Sequence, residues 1–91
     1  MSTITIDCGQ ITSEESFWKS YLIATEPEGA QYFGRNLHAF WDALNGGPGW
    51  PGEIQLRLTN TQHLRSWQEG RFYQRLKIIA AESKNVSVFL E

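Results

Sequence analysis

Three short stretches of strict alternation, separated by two long helical spacers, constrain this chain more than anything else in it. Thr3 to Cys8 alternates, with Ile4, Ile6 and Cys8 on one side and Thr3, Thr5 and Asp7 on the other. Glu53 to Thr59 sets Ile54, Leu56 and Leu58 against Gln55, Arg57 and Thr59, and Val86, Val88 and Leu90 repeat the pattern near the end. A period of two belongs to a strand with one buried face. The spacers carry helical periodicity, so the order is β-α-α-β-α-α-β, and long helical connections join strands that run the same way. A parallel sheet covered on both sides has strands that are apolar at nearly every position; alternation here places the helices on one side. Two successive right-handed crossovers on the same side must step in the same direction. The expected fold is therefore α/β: a two-layer domain with a three-stranded parallel sheet in order 1-2-3 and helices packed on one face.

The helices follow from apolar spacing and caps. Thr12 with Glu15 has the spacing of a capping box, and Phe17, Trp18, Tyr21, Leu22 and Ala24 make an apolar face over about residues 13–24. Thr25 to Gly29 is a turn-rich loop whose Pro27 disfavours continuation. Asn45 to Gly52 is too rich in Gly and Pro for regular structure and is expected to be the most flexible stretch. Asn60 is placed to cap a short helix through Trp67, and a longer helix over residues 69–83 puts Phe72, Leu76 and Ile79 on one face. With 41% hydrophobic and 13% aromatic residues in 91, one domain spanning residues 1–91 can build a core without staples.

The residues exclude most chemistry. Cys8 alone forms no internal disulfide and fits a reducing compartment. The start, Met-Ser-Thr-Ile-Thr-Ile-Asp, is not a signal peptide, and no stretch approaches membrane-spanning length, so a cytoplasmic protein with no membrane partner is expected. Cys8 falls on the apolar side of a strand with no activating neighbour, which argues against a nucleophile paired with His38 or His63. The two His and one Cys lack the close spacing of metal ligands, and the glycines at 46, 47, 49 and 52 lack a phosphate-binding signature. No cofactor is implied. The aromatics fall mostly on core faces and net charge is −2, so direct nucleic-acid binding is disfavoured. That charge is uneven: residues 1–45 carry −4 and residues 46–91 carry +2, which favours a basic partner for the first half.

The segment Tyr32-Phe33-Gly34-Arg35-Asn36-Leu37-His38-Ala39-Phe40-Trp41-Asp42-Ala43-Leu44 is an aromatic loop running into a helix. Leu37, Phe40, Trp41 and Leu44 form its apolar stripe; Arg35, His38, Asp42 and Asn45 fall on the polar one, and Asn36 is the expected cap. Its glycine, capping Asn, Trp-Asp pair and apolar positions, in this register, resemble the hallmark segment of the barstar family, small intracellular inhibitors that plug the active site of a secreted microbial ribonuclease. The resemblance implies the same two-layer fold and a function as inhibitor or immunity protein rather than enzyme. It also implies a 1:1 complex with a small ribonuclease whose basic active site receives Asp42 in place of substrate phosphate. It assigns Asp42 as principal carboxylate, Tyr32 as contact tyrosine, Gly34 as the point of backbone approach, and Asn36 and Asn45 as flanking polar contacts, with Ala39 on the same surface.

Departures from the family pattern point to altered contacts. His38 occupies a position that is acidic in barstar, Arg35 adds a base nearby, and Gly47 stands where barstar carries an aromatic, although Trp50-Pro51 retains an aromatic-proline pair. On the last helix Arg71, Arg75, Ile78 and Glu82 share the outward side, where the resemblance implies acids at 78 and 82 and only Glu82 supplies one. His38, Arg35, Trp50 and Glu82 therefore join the expected partner-binding set. These changes favour a different target ribonuclease; the alternative is a barstar-fold interaction domain with a partner that is not a ribonuclease.

Overall fold

The computed structural model describes residues 2–91. β1 (Ser2–Asp7), β2 (Ile54–Thr59) and β3 (Ser87–Leu90) form one parallel sheet in order β1-β2-β3. The register sets Ile4 beside Leu56 and Leu56 beside Val88, and Ile6 beside Leu58 and Leu58 beside Leu90. The apolar alternation of each strand thus falls in rows on one face. Thr3, Thr5, Asp7, Arg57, Ser87 and Phe89 are exposed on the other.

Three α-helices cover the apolar face: α1 (Glu14–Thr25), α2 (Leu37–Leu44) and α3 (Arg71–Glu82). Phe17, Trp18 and Tyr21 from α1, Phe40 and Leu44 from α2, and Phe72, Leu76 and Ile79 from α3 are buried over Ile6, Leu56 and Leu58. Aromatic edges meet faces through this core, as in Phe17–Trp18 at 4.8 Å and Tyr21–Phe40 at 5.3 Å between centroids. The two polar atoms these rings carry inward are satisfied. Trp18 Nε1 donates to Glu14 Oε2 at 3.1 Å, and the Tyr21 hydroxyl donates to the Gly49 carbonyl at 2.8 Å.

Several boundaries differ from the sequence expectation, each for a local reason. The α1 cap is Ser13 rather than Thr12, and its capping box closes with the Ser16 hydroxyl instead of a Glu side chain. β1 ends at Asp7, and Cys8 opens a 3-10 turn (Cys8–Gln10), yet Cys8 remains fully buried. Asn60 is not a cap: its backbone is left-handed at φ 54°, and its amide donates to Asp7 Oδ1 at 2.8 Å. In place of the expected short helix stand two 3-10 turns, Thr61–Leu64 and Trp67–Gly70. Gln68 and Glu69 are both left-handed inside the second, so α3 starts at Arg71 instead of Glu69. Trp41, expected in the core stripe, is 40% exposed, while Ala43 takes the buried position.

The Gly- and Pro-rich loop after α2, expected to be the most flexible stretch, is tied at four points. Gly47 N–H donates to the Asp42 carbonyl at 2.8 Å and Trp50 N–H to the Gly47 carbonyl at 3.0 Å. Gly49 N–H donates to the Glu28 carbonyl at 3.3 Å, and its own carbonyl receives the Tyr21 hydroxyl. Gly49 is required here twice over. Its φ is +92°, and a Cβ on it would lie 2.8 Å from the Phe33 ring.

Candidate functional site

α2 is the shortest of the three helices, and its entrance is built by one side chain. Asn36 Oδ1 accepts the Ala39 N–H at 2.8 Å, and Asn36 Nδ2 donates to the Gly34 carbonyl at 3.1 Å. The same residue thereby caps the helix and fixes the preceding loop, and keeps one amide hydrogen free. Gly34 packs so closely there that a Cβ would lie 3.0 Å from Ala39 Cβ. Before the loop, Tyr32 ends a 3-10 turn (Ala30–Tyr32) and is 73% exposed.

These elements enclose a shallow depression of about 210 Å³ lined by Tyr32, Gly34, Asn36, His38, Ala39, Asp42 and Pro48. Six residues expected in the partner-binding set thus meet in one place. Asp42 sits at its edge with its side chain half exposed. The nearest basic side chain is His38, whose Nε2 lies 3.8 Å from Asp42 Oδ2, a separation too long for a hydrogen bond. The Asp42 carbonyl is engaged differently, accepting the N–H groups of Asn45 and Gly47 at 3.0 and 2.8 Å. The chain therefore holds the backbone of this residue firmly and leaves its carboxylate facing water.

Other expected residues stand elsewhere. Arg35 precedes the helix with a left-handed backbone at φ 55°, so it does not share the polar stripe of His38 and Asp42. Asn45 lies just past the end of α2 and donates its amide to the Trp41 carbonyl at 2.8 Å. Trp50 is half buried against the core and lines a separate depression with residues 25–28. Glu82 is exposed at the last position of α3 and lines none of the depressions described. Pro48 was not expected in the set. The signal for it was the adjacent left-handed Gly49, which turns the loop back against α2.

Gly47 explains one departure from the family pattern. A Cβ at this position would lie 3.0 Å from the Asp42 carbonyl oxygen and 3.2 Å from its carbon. An aromatic there would require the close return of this loop to open by a few tenths of an ångström.

Fold and surface together define a small parallel α/β domain whose shortest helix presents a carboxylate to solvent beside an exposed tyrosine of the preceding turn. The chain belongs to the barstar family: the family model described as Barstar (barnase inhibitor) matches residues 1–88. Members of that family are ribonuclease inhibitors rather than enzymes. No curated protein matches the chain. Among residues 2–91, no helix is long and apolar enough to cross a membrane.

Proposed function

We propose that this protein is a stoichiometric inhibitor of a small secreted ribonuclease, an immunity protein that acts in the cytoplasm and covers the active site of the enzyme in a 1:1 complex. The observation that carries the reading is Asp42: a half-exposed carboxylate on a capped helix, beside an exposed Tyr32 and without a hydrogen-bonded partner of its own. An active site that binds phosphate concentrates cationic donors, and a fixed carboxylate can accept their charge-assisted hydrogen bonds without offering a bond to cleave. Tyr32 supplies a broad rigid contact next to it.

The second reading, an interaction domain for a partner that is not a ribonuclease, draws on His38, which makes the rim of the Asp42 depression less negative than the family pattern. One experiment decides between the two. Purified protein is titrated against a panel of small guanyl-specific ribonucleases beside Asp42→Ala, with circular dichroism to establish that the variant is folded. A hydrogen bond to a charged group contributes roughly 1.5–3 kcal/mol, so Asp42→Ala should weaken inhibition at least about tenfold. Unchanged inhibition by the variant would remove Asp42 from the mechanism.

A further inference from the structure

A second depression runs between α2 and α3. Leu37, His38 and Trp41 face Arg75, Ile78 and Ile79 across about 310 Å³. Its walls are partly open, with Trp41 40% and Ile78 57% exposed. Large apolar side chains exposed together mark a contact surface more than scattered ones do. Arg75 forms no ion pair among the described residues, so its charge is available. His38 lines both this groove and the Asp42 depression, which makes the two surfaces continuous. A partner seated over Asp42 meets the groove next.

Resting on the inhibitor reading, we infer that the groove receives an acidic residue with an adjoining apolar side chain from the rim of the inhibited ribonuclease, Arg75 pairing with the carboxylate and Trp41 and Ile78 covering the apolar group. The footprint reverses sign along its length. Asp42 addresses the basic active site, and Arg75 addresses an acid beside it. A ribonuclease with a basic residue on that rim is repelled by Arg75 even though its active site accepts Asp42, so the groove selects among enzymes that share one chemistry.

The test uses the same ribonuclease panel with wild type, Asp42→Ala, Arg75→Glu and Ile78→Asp, each shown to be folded. For the enzyme that wild type inhibits most strongly, Arg75→Glu should weaken inhibition tenfold or more. Changing an acidic rim residue of that enzyme to Lys should weaken wild type and restore Arg75→Glu. If Arg75→Glu and Ile78→Asp both inhibit within twofold of wild type while Asp42→Ala is inactive, the groove proposal is overturned and the inhibitor reading stands. No inhibition of any panel enzyme by wild type overturns both. A wild-type dimer in sedimentation that Ile78→Asp dissociates gives the groove to a second copy and also overturns the proposal.

Discussion

Asp42 and His38 stand one turn apart on α2, and their 3.8 Å separation lets the imidazole act on the carboxylate through charge alone. With Arg75 across the groove, His38 places basic side chains on the side of the rim that adjoins the carboxylate. Removing that base, His38→Gln should therefore strengthen inhibition of a ribonuclease with a basic active site, and equal inhibition by the two proteins would dismiss the coupling. Cys8 gives a prediction on the pH scale. Burial pushes its thiol up to about 11 from an ordinary value near 9, so the folded state favours the protonated form. The resulting stability is complete below about pH 9 and is lost as pH rises through 11, amounting to roughly 2–3 kcal/mol. Tyr21, whose buried phenol is also raised, acts with the same sign. Urea midpoints for wild type and Cys8→Ala at pH 8 and 10.5 measure the Cys8 share, and an equal drop in both would assign the loss elsewhere. At this scale the sequence was most legible where a residue has one dominant role. Asn36 caps as its position before the apolar stripe implies, whereas Arg35 leaves the stripe because its backbone turns left-handed, which no side-chain pattern announces.

The α2 helix and its following loop depend on each other through a few backbone contacts. Gly49→Ala should be among the most damaging single changes, because the added methyl meets Phe33 at 2.8 Å and must adopt φ +92°. Strain and overpacking of this kind together cost about 2–4 kcal/mol, which a shift in the urea midpoint at unchanged slope would measure. Gly46→Ala serves as the comparison: it also has a positive φ, but its Cβ would meet nothing within 4 Å, so it should cost clearly less. Equal losses would show that packing against Phe33 contributes little. Element by element, the apolar periodicity placed α1, α2 and α3 within a turn of where they lie, since each buries a stripe. The connection before α3 was hidden because its break rests on Gln68 and Glu69, residues that give no sign of a left-handed backbone; only Gly70 does. Trp41 was misplaced for another reason. Its ring size suits a core position, but the small Ala43 is the fully buried residue, packed toward Gly49, and Trp41 stands at the edge of the groove.

Across the whole molecule, topology was the most readable feature, because alternation and crossover handedness together admit one strand order. The closing of the chain was not readable. Glu91 N–H donates to the Leu58 carbonyl at 2.7 Å, its carbonyl accepts from Thr61 N–H at 3.0 Å, and its carboxylate takes two hydrogen bonds from Arg57 at 2.6 and 2.7 Å. The Arg57 hydrogen bonds hold the Glu91 carboxyl below its ordinary value near 4.5. Its contribution is complete above about pH 4.5 and declines as pH falls through the lowered value. Glu91→Gln should therefore lower the melting temperature at pH 7 and flatten its decline toward acid pH; an unchanged value at pH 7 with an unchanged acid limb would leave the clamp without energetic weight.

The hydrogen bond from Tyr21 to the Gly49 carbonyl has a consequence for kinetics. It joins α1, in the centre of the core, to the loop that places Pro48 beside Asp42. This bond and the loop's own backbone bonds order the backbone of that loop before any partner arrives, so little of its backbone entropy remains to be lost on encounter, while exposed side chains such as Tyr32 still lose theirs. Association should then be a one-step collision whose rate is independent of any prior loop rearrangement, and loosening Tyr21 should slow it without altering a single residue on the contacting surface.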